Sequence, residues 1–155
     1  MKHSRGYSIM ELLTVLAIIG IFVAVGLPSL TYLSRTTQIK STASNLYITL
    51  VKARSEAVKR NGNVTLTPVA GDFTNGWTMT DFNGTVLSSQ EAVNGVKVSS
   101  SITTNLIYSA SGRIQGGGSP WFDVHQPSTD ARVFAVRCVS VSPNGAPYVK
   151  STSCS

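Results

Sequence analysis

Hydrophobic and polar positions along this chain follow three successive patterns. From Ile9 to Leu27 the apolar residues run almost unbroken, and Glu11 is the single charge among them. Tyr7 to Leu27 supplies 21 residues, and a bilayer-crossing helix takes about 20 mainly apolar residues at about 1.5 Å each. After Pro28 the apolar positions thin out to Ile39, Ala43, Leu46, Leu50, Ala53 and Ala57. Those steps of three and four mark one face of a helix. Arg35, Lys40, Lys52, Arg54, Lys59 and Arg60 fall mostly off that stripe, and Asn61-Gly62-Asn63 ends it, with Gly62 expected as the left-handed cap. The pattern predicts one helix of about 50 residues whose two halves have different surroundings. Pro28 removes a backbone donor between the halves and is expected to kink or loosen the helix there.

Beyond Asn63 the period changes from a helical to a strand repeat. Val64-Thr-Leu-Thr alternates, and Trp77–Phe82, Asn83-Gly84 and Thr85-Val-Leu read as a hairpin with a type I′ turn at Asn-Gly. Asn94-Gly95 and Pro143-Asn-Gly145 are further turns, the second between runs Arg132–Val141 and Ala146–Lys150. Gly112–Pro120 reads as a loop, and its Gly116-Gly-Gly118 lacks the Lys-Ser/Thr pair and following helix of a phosphate cradle. Short runs with close turns favour an antiparallel sheet over βαβ units. The expected class is therefore α+β, a long helix packed on an antiparallel sheet domain.

The head of the chain explains why so apolar a stretch comes first. Lys2 and Arg5 precede Gly6, and the apolar run follows. A secretory signal places its cleavage site after the apolar core. Here the processing point, Gly6-Tyr7, comes before it, so cleavage would leave the apolar helix at the mature N-terminus. Positive-inside bias holds the basic head in the cytoplasm and exports the rest. Glu11 admits two readings. It is an acid favoured in the first helical turn by the helix dipole, or it is a carboxylate with a task inside an apolar environment.

Gly6-Tyr-Ser-Ile-Met-Glu11-Leu-Leu closely resembles the class III signal of type IV prepilins and type II secretion pseudopilins. The resemblance implies cleavage after Gly6 by a membrane-embedded prepilin peptidase and N-methylation of Tyr7. It implies that Glu11 pairs with the N-terminal amine of a neighbouring subunit during filament assembly. A carboxylate and an ammonium each lose several kcal/mol in an apolar core unless they meet. Tyr7 stands where the family usually has phenylalanine, and Pro28 matches the proline that commonly ends the first half of the pilin helix. The implied organisation is a leader over 1–6, a membrane and filament-core half-helix over 7–33, and an exported pilin head over 34–155. The partners implied are other major and minor pilins or pseudopilins, the prepilin peptidase, and the bacterial inner membrane before assembly into a pilus or pseudopilus.

Composition adds charge and sulfur chemistry. Of 155 residues, 13 are Lys or Arg and 7 are Asp or Glu. From Arg35 onward the counts are 11 and 6, a net charge of +5 on the exported part. That balance permits contact with DNA, lipid headgroups or acidic polysaccharide without selecting one. Cys138 and Cys154 mature in an oxidising compartment, so a disulfide closing a short C-terminal loop is expected. A loop near 15 residues is worth about 3 kcal/mol in the chain-entropy account. No metal site is expected, since His125 is the one histidine left after processing. There is no paired-carboxylate motif and no Gly-x-Ser-x-Gly elbow, so neither an enzyme nor a cofactor is expected.

A narrower resemblance runs through the head. Ala53-Arg-Ser-Glu-Ala-Val-Lys-Arg-Asn61 before Val64-Thr-Leu, together with Gly76-Trp77, Ser111-Gly-Arg113 and the terminal Ser-Pro-Asn-Gly turn, is similar to the FimT/FimU/GspH group of minor pilins and minor pseudopilins. It implies a structural subunit of a type IV pilus that helps prime assembly at or near the tip, serving twitching motility and adhesion. The alternatives are the equivalent minor pseudopilin of a type II secretion system, or a pilus-tip DNA receptor for natural transformation. In the DNA receptors of the group the last turn resembles Gly-Arg-x-Arg, whereas this chain has Gly145-Ala-Pro-Tyr-Val-Lys150. Arg113, Arg132, Arg137 and Lys150 are the residues from which a basic DNA-facing surface could form, and binding is expected to be weak. Arg54 and Glu56, two apart on a helix, do not face each other and read as solvated or domain-packing charges. Trp77 reads as core.

Overall fold

The computed structural model describes residues 8–127 and 136–154, with residues 25–32 described as helix backbone alone. Helix α1 spans Ile9–Arg60, 52 residues. Eight strands follow it: β1 Val64–Pro68, β2 Gly76–Asp81, β3 Val86–Glu91, β4 Lys97–Ser100, β5 Leu106–Tyr108, β6 Trp121–His125, β7 Arg137–Val141 and β8 Pro147–Lys150. Two short 3-10 turns, Val69–Gly71 and Phe73–Asn75, lie between β1 and β2. The chain divides into two units, Met1–Ser34 and Arg35–Ser155. The helical assignment runs across Pro28, so the helix does not end there; the side chain of Pro28 falls outside the described residues.

In the second unit the strands form two antiparallel four-stranded sheets, ordered β3-β2-β1-β5 and β4-β6-β7-β8. All pairings are antiparallel, with Leu66 opposite Met79 and Leu106 in the first sheet, and Asp123 opposite Ser99 and Cys138 in the second. One core joins both sheets to α1. Ile39, Ala43, Leu46, Leu50, Ala53 and Ala57 are buried, as the helical period predicts, against Val64, Leu66, Trp77, Met79 and Tyr108 of the first sheet and Phe122, Val124, Val139 and Val141 of the second. Trp77 belongs to this core, and its Nε1 donates to Thr49 Oγ1 at 3.4 Å. The indole nitrogen thereby keeps a partner away from water, as a buried tryptophan requires.

Two local expectations are corrected. The left-handed residue at the end of α1 is Asn61 (φ 50°), not Gly62. Gly62 N donates to Ala57 O and Asn61 N to Val58 O, which is a Schellman closure with Asn61 at its turning point. Glycine at 62 answers a different need. A Cβ there would meet the Phe82 ring at 2.4 Å, because Phe82 of the β2–β3 connection lies over the helix end. That connection is not a type I′ turn at Asn83-Gly84 either. Type I′ needs positive φ at both central residues, and of this pair only Gly84 (φ 82°) has it. Gly84 N instead donates to Asp81 O, closing a turn over Asp81–Gly84 that leaves Gly84 left-handed behind it. Asp81 Oδ1 accepts from Asn83 N and Thr85 N, so the carboxylate shapes the reversal.

Candidate functional site

The first candidate surface is the start of α1. From Ile9 to Val23 every large hydrophobic residue is at least half exposed, between 50% for Val15 and 80% for Ile9. They leave no polar face, and a helix apolar all round is stable only inside lipid or among other helices. Glu11 sits in the first turn, where its backbone N–H donates to Ser8 O at 3.0 Å. The expected cleavage and methylation residues Gly6 and Tyr7 lie outside the described residues. Among the described residues no helix is long and apolar enough to cross a membrane. The apolar sequence continues into residues 25–32, whose side chains lie outside that description.

The second surface is the C-terminal end of the head. Cys138 and Cys154 are joined, with an S–S distance of 2.06 Å and Cα atoms 5.0 Å apart. Asp123 of β6 accepts from Ser153 Oγ at 2.7 Å and from Cys154 N at 2.8 Å, so carboxylate and disulfide together hold the tail on the second sheet. Asp123 and the two sulfurs also lie within 4.8 Å of one another, a spacing that could suggest a metal site. Because both sulfurs are bound to each other, neither is a thiolate able to ligate. Asp123 was missed by sequence reasoning; an aspartate at the centre of a strand, where it needs a partner, was its one signal.

The three described members of the candidate DNA-facing set stand on separate elements. Arg113 is exposed on the turn after β5, Arg137 opens β7, Lys150 ends β8, and Arg132 lies outside the described residues. Lys150 pairs with Cys138 and shares its face. Arg137 precedes Cys138 in the same strand, so alternation turns it to the opposite face. The Lys150 ammonium stands 5.4 Å from the centre of the Tyr148 ring, which draws one cation into an aromatic contact within the strand.

The Ala53–Asn61 segment has a structural task. Arg54 Nη2 donates to Asn144 O at 3.2 Å in the last turn, and Gly145 lies against Gly112, where a Cβ would come within 2.0 Å of the Gly112 oxygen. Helix, Ser111-Gly-Arg113 turn and Ser-Pro-Asn-Gly turn therefore meet at one corner. Glu56 faces Arg60 one turn on, Nε to Oε2 at 2.6 Å, and Arg60 Nη1 reaches Asp81 Oδ2 at 3.0 Å. The Arg60 hydrogen bond holds the Glu56 carboxyl below its ordinary value despite opposing burial. Burial pushes Asp81 up, but the Thr85 and Asn83 backbone donors and the Arg60 charge outweigh it and hold the group low.

Comparison with known proteins agrees with this arrangement. The model of the family described as Type II transport protein GspH matches residues 42–145, more than half of the chain. No curated protein matches significantly in sequence. Among solved structures, the type IV minor pilin FimU of Pseudomonas aeruginosa superposes with a TM-score of 0.61 at 20% identity, covering 72% of this chain and 91% of FimU. The minor pseudopilin EpsH of the Vibrio cholerae type 2 secretion system superposes with a TM-score of 0.59 at 12% identity, covering 74% of this chain and 97% of EpsH. At these identities the two structures speak for the fold, and the family match speaks for descent: the chain belongs to the GspH family, within the FimT/FimU/GspH group of minor pilin-like proteins.

Proposed function

We propose that this chain is a minor pilin, a structural subunit that helps prime a type IV pilus and sits at or near its tip. The observation that carries the reading is the first half of α1, apolar on every side and preceded by Gly6-Tyr7. Such a helix has no place on a soluble monomer. It is held in the inner membrane first, with the head outside, and then in the filament core after cleavage and methylation at Tyr7. Glu11 is the one carboxylate of the described half and pairs there with the terminal amine of a neighbour. Mass spectrometry of membrane-extracted protein is expected to show a chain beginning at a methylated Tyr7. Glu11→Ala is expected to insert in the membrane as well as the parent does and to be depleted from sheared filaments. Normal amounts of the variant in sheared filaments contradict the pairing role.

A second reading, a minor pseudopilin of a type II secretion system, is supported by the family's description and by the likeness to EpsH. Deletion in the host separates the two. Loss of surface pili and twitching with normal secretion supports the first, and loss of exoprotein release with normal pili supports the second.

A further inference from the structure

A second stripe of side chains runs along α1 one position after the core stripe: Tyr47, Val51, Arg54 and Val58 beside Leu46, Leu50, Ala53 and Ala57. One residue turns a helix by about 100°, so this stripe faces sideways from the core, towards the edge of the second sheet. That sheet ends at β8. Between helix and edge strand lies an open groove of about 580 Å³, closed on the strand side by Ala146 and Pro147. Its floor is apolar and accessible, Val51 being 38% and Val58 54% exposed. Ile48 on the helix and Val149 on β8 are exposed apolar residues on the same two elements. The charged residues lining the groove are Arg54 and Lys59; the Lys59 ammonium, 78% exposed, stands 4.0 Å from Glu56 Oε1, an acid that lies outside the lining.

We propose that this groove docks a different, acidic subunit of the same filament, which sets an apolar side chain over Val51 and Val58 and a carboxylate against Lys59. The proposal rests on the filament reading above and names the partner surface for it. Charge complementarity selects the occupant. Another copy of this chain is a poor one, because its exported part carries +5 and most of its described carboxylates are committed internally. Glu56 and Asp81 bind Arg60, Asp72 accepts from Thr74 N, and Asp123 holds the tail. Pro147, the one β8 residue lining the groove, has no N–H to offer a pairing strand, so contact there runs through side chains. Val51 and Val58 give the anchor an apolar seat, while the rim cation steers approach and sets specificity.

The test places the photocrosslinker p-benzoylphenylalanine at Val51 of the full-length chain in its native host. A control places it at Val86, exposed on β3 outside the groove. The expected result is one dominant adduct at Val51, absent at Val86, with another pilin-like subunit whose crosslinked peptide carries Asp or Glu beside an apolar residue. Lys59→Gln, which removes the rim charge at a side chain 78% exposed without setting a second acid beside Glu56, is expected to cut the adduct by roughly tenfold while the melting temperature falls by no more than about 2 °C. No adduct at Val51, equal adducts at both positions, or an adduct with lipid, a non-pilin protein or a second copy overturns the proposal. Failure at Val51 while Glu11→Ala is still lost from sheared filaments rejects this docking surface alone. Normal assembly of Glu11→Ala rejects the filament reading itself.

Discussion

Arg60 binds two carboxylates at one guanidinium. Through Glu56 it staples the last turn of α1 to itself, and through Asp81 it ties that turn to the end of β2, where the same carboxylate shapes the β2–β3 reversal. The consequence is a pH dependence of known sign. Both carboxyls lie below their ordinary values of 4.5 and 3.8, so the folded chain binds fewer protons than the unfolded one in the acid range. Stability from these groups is complete above the ordinary values and is lost as pH falls through the lowered ones. Melting temperature is expected to decline as pH drops from about 5 to about 2, and Arg60→Gln to shallow that decline. Equal slopes for parent and variant, followed by circular dichroism, count against the assignment. Glu56 and Arg60 have the i,i+4 spacing of a helical ion pair, although by sequence alone Glu56 reads as a solvated or domain-packing charge. Asp81 as the third member has no such signal, since nothing local brings residue 81 to residue 60.

At the scale of elements, α1 is the best-determined piece because its burial follows from its own period. Leu50, fully buried on the central stripe, is expected to cost about 2–5 kcal/mol as Leu50→Ala through the cavity it leaves. Urea denaturation of the fragment from Arg35 measures this, and a loss under about 1 kcal/mol means the helix is not the core's spine. The disulfide acts on β7 and the tail after β8. Cys154→Ser is expected to remove about 3 kcal/mol and lower the melting temperature by roughly 10 °C, and non-reducing peptide mapping should find the parent pair linked. The Asp123 hydrogen bonds use Ser153 Oγ and the Cys154 N–H, not the sulfurs, so they are expected to persist in the variant and to slow proteolysis at the tail. The turns were legible as places and illegible as conformations. Asn83-Gly84 and Asn61-Gly62 sit where reversals occur, yet the Asp81 carboxylate selects the first turn and the Phe82 ring fixes where glycine is needed in the second.

For the whole molecule, the net charge of +5 from Arg35 onward governs what the head can meet. Excess cations bind phosphates weakly and without sequence preference, with a steep dependence on salt. Base stacking needs exposed aromatics; Trp77 is enclosed by the core, while Phe82 after β2 and Tyr148 in β8 are exposed on separate elements and Tyr148 already holds the Lys150 ammonium. Arg137 and Lys150 face opposite sides of their sheet. The fragment from Arg35 is therefore expected to bind duplex DNA weakly or not at all at about 0.15 M salt. Sub-micromolar affinity in a gel shift, lost on charge reversal at Arg132, Arg137 and Lys150, promotes the DNA-receptor reading instead.

What the sequence determined by itself is whatever depends on neighbours within a few residues. The inverted order of basic head, Gly6-Tyr7 and apolar run is local, as are the helical stripe from Ile39 to Ala57 and the strand alternation after Asn63. Local spacing also marked the turn positions, and compartment chemistry marked the disulfide. The tertiary structure alone decided how the strands were shared out. The chain leaves the first sheet after β3, returns to it at β5 and leaves again at β6, because β1 and β6 bury apolar faces that only those distant strands complete. It also decided that Asp81 meets Arg60, that Asp123 holds the tail, and that α1 and β8 part to leave a groove. Each joins residues far apart in sequence, and long-range pairing is set by the closing of a shared core, not by any propensity that a short window of residues carries.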